Sequence, residues 1–173
     1  MSTLRVDTIA NTAGTTNNRV LQVVSTTKTD TFSSSSTSFV DVTGLSVNIT
    51  PSSSSSKILI MADVSVGSQS FNVFIKLKRD STDIYIPDAA GSRPLVSGKN
   101  GGAPQSGDVY GLTKVPVMYL DSPSTTSQIT YKFQLRSYSS SYTAYINRTH
   151  QDRDTAHYDP RTPSSITLME IAQ

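Results

Sequence analysis

The feature that most constrains this chain is the strict alternation of residues 57–66. Ile58, Ile60, Ala62, Val64 and Val66 share one parity, and Lys57, Leu59, Met61, Asp63 and Ser65 share the other. Successive side chains of a β-strand point to opposite faces, whereas a helix would scatter these positions around its axis. The stretch is therefore a strand with one face for a core. The same period recurs where Phe71, Val73, Ile75 and Leu77 alternate with Asn72, Phe74, Lys76 and Lys78. It recurs again where Ile129, Tyr131, Phe133 and Leu135 alternate with Thr130, Lys132, Gln134 and Arg136.

Composition explains why no helix competes. Of 173 residues, 29 are Ser and 22 Thr, and the acids are 12 Asp with a single Glu, Glu170. Ser and Thr compete with the helix backbone for hydrogen bonds, while Glu is among the commonest helix formers. The fold class expected is all-β. Between the clear strands, Val20–Ser25 and Asp30–Ser33 read as short strands, and the run Ser33–Ser36 reads as an exposed turn. Val40 and Val42 point one way, after which Leu45, Val47 and Ile49 resume on odd numbers, so Thr43-Gly44 marks a β-bulge. Pro51 and Ser52–Ser56 close that strand. Further strands are read at Asp83–Ile86, at Val109–Leu120, where Pro116 argues for a sheet edge, at Tyr142–Asn147 and at Ile166–Ile171, which places the chain's end inside the fold. Residues 87–108, with five of the nine glycines, and 148–163 are long polar excursions of the kind that tend to carry function.

Eight or nine short, evenly spaced strands predict a two-sheet sandwich. A jelly roll fits better than an immunoglobulin pattern, which would bring a core Trp that this chain lacks. The domain is expected at 19–173. Residues 1–18 form an arm in which Leu4, Val6 and Ile9 are the apolar positions, too short to bury them alone. Such an arm needs a partner surface. Leu59, Met61 and Phe74 fall on the second, mixed faces of their strands. A face mixing charge with large apolar groups often meets another subunit, although scattered surface apolars are also ordinary.

Function classes fall away in turn. With no cysteine, disulfides, thiolate metal sites and cysteine nucleophiles are excluded. The net charge of +2 is spread without a basic run, which argues against nucleic acid, and no apolar run approaches a membrane span or signal peptide. Glycosidase chemistry needs paired carboxylates, and only Asp152 and Asp154 lie close in sequence. Gly91 to Lys99 has the wrong spacing for a phosphate loop, and no helix follows it. No catalytic residue and no cofactor is expected.

His150, Asp152, Asp154, His157 and Asp159 are ligand types for a divalent ion. Their spacing matches no metal motif, and Arg148, Arg153 and Arg161 stand ready to neutralise the acids, so a solvated polar loop is the preferred reading. Tyr138, Tyr142, Tyr145 and Tyr158 lie among Ser, Thr, Asn and Arg, a mixture suited to contact surfaces. Tyr142 and Tyr145, on a strand, read as covering rings. Tyr138, Asn147, His150 and Tyr158, with the loop 87–108, are the candidates for receptor or glycan contact. The acceptor patterns at Asn48 and Asn147 read as chance in so Thr-rich a chain.

The opening Met1-Ser2-Thr3-Leu4-Arg5-Val6-Asp7-Thr8-Ile9-Ala10-Asn11-Thr12-Ala13-Gly14-Thr15 resembles the N-terminal segment of tail-fibre-like and related virion proteins of tailed phages, especially marine ones infecting cyanobacteria and other bacteria. Residues Phe39 to Pro51 with Ser56 to Ile60, and the ending Arg161 to Ala172, are similar to strands of their C-terminal β-domain; 67–160 carries no likeness. The resemblance implies a non-enzymatic virion component, made in the host cytoplasm. It implies a homotrimer whose arm docks on another virion protein while the globular part faces the host, where a cell-surface glycan is the candidate partner. No shaft separates arm from domain, which leaves open a capsid decoration in place of a host-contacting fibre. A free carbohydrate-binding module and a concealed esterase or lyase are the rival expectations.

Overall fold

The computed structural model describes residues 19–68, 72–100 and 110–173. The arm positions Leu4, Val6 and Ile9, and the segment 101–108 of the long loop, lie outside the described residues. The strands are β1 (Val20–Lys28), β2 (Phe32–Ser34), β3 (Val40–Ile49), β4 (Lys57–Ser68), β5 (Val73–Arg79), β6 (Thr82–Ile84), β7 (Gly98–Lys99), β8 (Leu112–Asp121), β9 (Ile129–Ser137), β10 (Ala144–Ile146) and β11 (Ser164–Ile171). The described residues contain no helix.

All pairings are antiparallel, and they build two sheets. In the first, β8 lines one edge of β4 from Ile58 to Gly67, so the partners β11 and β10 must share β4's other edge. Beyond them lie β1, paired with β11, and β2, paired with β10. In the second sheet the order is β3-β9-β5, with β6 and β7 on the far edge of β5. Eight of the strands also pair in mirror order along the chain: β1 with β11, β3 with β9, β4 with β8, and β5 with the short β6. The chain is in effect one antiparallel ribbon, with its tip at the Asp80-Ser81 turn, folded over itself into two layers.

The inner faces meet in one core. Ile58, Ile60, Val64 and Val66 of β4 pack with Ile166 and Leu168 of β11 against Leu45, Val47 and Ile49 of β3, Ile75 and Leu77 of β5, and Tyr131, Phe133 and Leu135 of β9. Each such side chain, taken fully out of water, contributes about 1.5–3 kcal/mol. The parity read for β4, β5 and β9 is the parity observed. So is the switch in β3, where Val42 and then Leu45 are buried, Gly44 adopts φ 81° and the register with β9 shifts between Asp41 and Ser46. Pro116 sits opposite Asp63 on β8, whose only ladder among the described residues is with β4; that is the edge position expected of it.

Two expectations are corrected. Ser34 belongs with Ser33 to β2, paired with Ala144 and Tyr145, so the strand read at Asp30–Ser33 runs one residue further into the serine run. Within the excursion 87–108, Gly98–Lys99 returns to pair with Ile75 and Phe74.

The two outer faces differ in character. On the second sheet, Lys76 and Lys78 both pair with Asp83 at 2.7 Å, and Lys132 pairs with Asp41 at 2.6 Å, alongside Gln134 and Thr130. Pairs of this kind add little stability and mark a face made for water. On the first sheet, the register lays Leu120, Leu59, Met169 and Val23 side by side in one row, and Met118 beside Met61 in the next. Met118 is 68% exposed, Val23 54% and Leu120 47%.

Candidate functional site

Loop 147–163, between β10 and β11, is held by side chains where regular structure is absent. Asn147 leaves β10 with φ 66°, a conformation Asn tolerates better than most residues. Its Nδ2 donates to the carbonyls of Lys28 and Asp30, both at 2.8 Å, and its Oδ1 accepts from Ser164 Oγ at 2.6 Å. One side chain thus ties the β1–β2 link to the start of β11. The chain then crosses Gly67 of β4 so closely that a Cβ there would lie 2.1 Å from the Arg148 carbonyl oxygen. Further on, Thr162 hydrogen-bonds Ser65 through their hydroxyls, and Lys114 donates to the Pro163 carbonyl. The loop therefore covers the Ser65–Gly67 end of the first sheet's outer face and leaves the Leu59–Met61 end bare.

Inside the loop the acids are matched to arginines, as the sequence spacing anticipates. Arg161 grips Asp152 through Nε and Nη2 at 2.9 and 2.8 Å, with Arg148 3.3 Å from the same carboxylate. Arg153 Nε donates to Asp159 at 2.8 Å, and Thr149 Oγ1 donates to its other oxygen at 2.6 Å. The Arg161 hydrogen bond lowers the Asp152 pKa. For Asp159, desolvation pulls upward, but the bonds from Thr149 and Arg153 prevail and lower it. Both stay ionised at neutral pH and are spent on holding the loop. His150 faces the Tyr145 hydroxyl, with Nδ1 at 3.0 Å, and its pKa is lowered first by burial and then by the Arg148 charge. Among the described residues no group of three His, Asp or Glu side chains could hold a metal ion.

The expected contact residues divide. Tyr138 and Tyr158 are 53% and 60% exposed. Tyr158 lies 5.7 Å from the Tyr110 ring, and the Arg153 guanidinium stands 5.0 and 5.7 Å from the centroids of Tyr110 and Tyr158. His150 is half-buried against Tyr145. Asn147 is a correction: it is wholly buried and its amide is spent on backbone and Ser164, so it offers nothing outward. Phe74 is a second correction. Its ring is only 8% exposed, on the second sheet, with the Arg136 guanidinium 5.4 Å from its centroid, so its own chain already covers it. Leu59 and Met61 are half-buried on the bare end of the first sheet.

A second concavity was not anticipated. Where the sheets part at their open edges, Tyr85, Ile86, Pro87, Val96, Ser97 and Tyr119 line a cleft of about 440 Å³. Tyr119 pairs with Ile60 and so points between the sheets, and its ring lies 5.4 Å from Tyr85, tilted by 43°. Tyr85 follows β6 with φ 54°. The parity of Val115, Val117 and Tyr119 puts Tyr119 on the inner face from sequence alone, but only the folding of the ribbon brings Tyr85 beside it.

No family model matches this chain, and no curated protein sequence matches it. The functional reading therefore rests on the geometry above and on the resemblance of the two ends.

Proposed function

We propose that the chain is a non-enzymatic virion component of a tailed bacteriophage, similar to tail-fibre-like proteins. Residues 1–18 dock it to another virion protein, and the β-domain assembles as a homotrimer and presents its loops to the host surface. The mirror-order ribbon of eight strands, β1-β3-β4-β5 against β11-β9-β8-β6, supports a jelly roll, the double-sheet form found in viral capsid and lectin domains. The groups that acid–base chemistry would recruit, Asp152, Asp159 and His150, are engaged with Arg161, Arg153 and Tyr145, which supports a structural role for their loop.

The observation that carries the reading is the contrast between outer faces. The second sheet is laced with Lys–Asp pairs, whereas the first exposes Met118, Leu120 and Val23 in continuous rows with Leu59, Met61 and Met169. An apolar sheet face of this extent favours a partner over water, and sister copies supply it. Light scattering on the full chain should give a trimer. Met118→Lys combined with Leu120→Lys should give a monomer with an unchanged β circular-dichroism spectrum, because both side chains point away from the core. A monomeric wild type refutes the assembly.

The tyrosine-lined cleft favours a second reading, a free carbohydrate-binding module. It differs in leaving the first sheet's outer face without a partner, so the same experiment separates the two.

A further inference from the structure

We infer that the cleft between Tyr85 and Tyr119 is a binding subsite for a neutral pyranose sugar. Its volume of about 440 Å³ falls within the range of small-ligand clefts, and like them it is mostly apolar with a few polar groups. Val96, Ile86 and Pro87 form the apolar part. The two rings, 5.4 Å apart and tilted by 43°, offer inclined aromatic faces. A pyranose has apolar C–H faces and an equatorial rim of hydroxyls, so it stacks on such rings while its rim seeks hydrogen bonds. Neither phenol hydroxyl has a hydrogen-bond partner among the described residues, and each can both donate and accept.

Among the described residues the lining contains no charged side chain, which sets this cleft apart from the concavity formed by Asp152, Arg153, Asp154, Asp159 and Arg161. A neutral sugar suits the first, since an anionic one would meet no cation among its described lining residues. The cleft is also held in shape. Ser97 Oγ accepts from the Leu77 amide at 2.8 Å and donates to the Ile84 carbonyl at 3.3 Å, fixing the 85–97 crossing to the edge of the second sheet. Tyr85, with φ 54°, occupies a left-handed conformation uncommon for an aromatic residue, and such strain concentrates at ligand clamps. A crossing already fixed in shape loses little freedom on binding, which favours affinity.

This inference deepens the host-contact half of the proposed function and rests on it. Binding in solution is measured without any particle, so a negative result would leave incorporation into a virion untouched. The test is a titration of the full ¹⁵N-labelled chain with methyl glycosides of glucose, galactose and mannose, and with sialic acid as the anionic counterpart, followed by amide chemical shifts. At least one neutral glycoside should shift Tyr85, Val96, Ser97 and Tyr119 saturably. Tyr85→Ala should weaken that binding at least about tenfold, whereas Val20→Ala, at an exposed position of β1 on the side of the first sheet away from β8, should leave it unchanged. Tyr119→Phe keeps the core packing and should weaken binding through loss of the hydroxyl alone. The inference is overturned if no neutral glycoside shifts these amides, if sialic acid binds there more tightly, or if binding survives Tyr85→Ala intact.

Discussion

The lone glutamate of the chain shows how one residue can fix an end of the sandwich. Glu170 is wholly buried, with its carboxylate accepting from the Ser52 amide at 2.8 Å, the Ser52 hydroxyl at 2.7 Å and the Gln22 amide at 2.6 Å. Burial alone would raise its pKa, but the bonds from Gln22 and Ser52 outweigh that and hold it at about 2, against 4.5 for a free side chain. Because the folded value is the lower one, the stabilisation is fully present above about pH 4.5 and is lost as pH falls towards 2. A shift of that size corresponds to about 3 kcal/mol. Glu170→Gln should therefore lower unfolding free energy at neutral pH and flatten its loss between those values, measured by denaturant titration at a series of pH values. Parallel wild-type and variant curves would contradict the assignment. Sequence placed Glu170 on the last strand but did not reveal its partners, because Gln22 and Ser52 are distant in the chain. Asn147 was misjudged for the same reason: a polar residue among tyrosines reads as surface until the carbonyls of Lys28 and Asp30 are found beside it.

Among the strands and loops, periodicity carried most of the information. β4, β5 and β9 were legible because one parity is uniformly apolar, and the bulge in β3 because Gly44 sits where the parity changes. The short strand β7 was not, since two residues contain no period, and its place is set by the strand it meets. Phe74 failed for a related reason. Parity puts it outside, yet Arg136 beside it on β9 covers the ring. Gly67 tests how loop 147–163 is seated. A methyl group there would meet the Arg148 carbonyl oxygen, a backbone atom that cannot turn aside. Gly67→Ala is expected to cost about 1–3 kcal/mol, with faster amide exchange along 148–163 while β4's pairing with β8 stays protected. Unchanged exchange in that loop would show that it does not depend on the close crossing.

For the whole molecule, the two outer faces and the two ends make one account. A ribbon folded into two layers gives one outer face laced with ion pairs, one outer face with exposed apolar rows proposed to meet sister copies, and loops that shape a tyrosine-lined cleft. The class of fold was legible from alternation and turn spacing. The asymmetry of the faces was only half legible, because Leu59 and Met61 marked it but Met118, Leu120 and Val23 join them through the sheet register alone. The proposed virion role joins the apolar outer face of the first sheet to the docking proposed for residues 1–18. The most direct measurement of that proposal is quantitative mass spectrometry of purified particles of a phage whose genome encodes this chain, with the full chain and with residues 1–18 deleted. The full chain should be present in multiples of three copies per particle and the truncated one should be absent, although it is still made and folded. A full chain missing from the particles, or a truncated chain incorporated as well as the full one, would contradict the account.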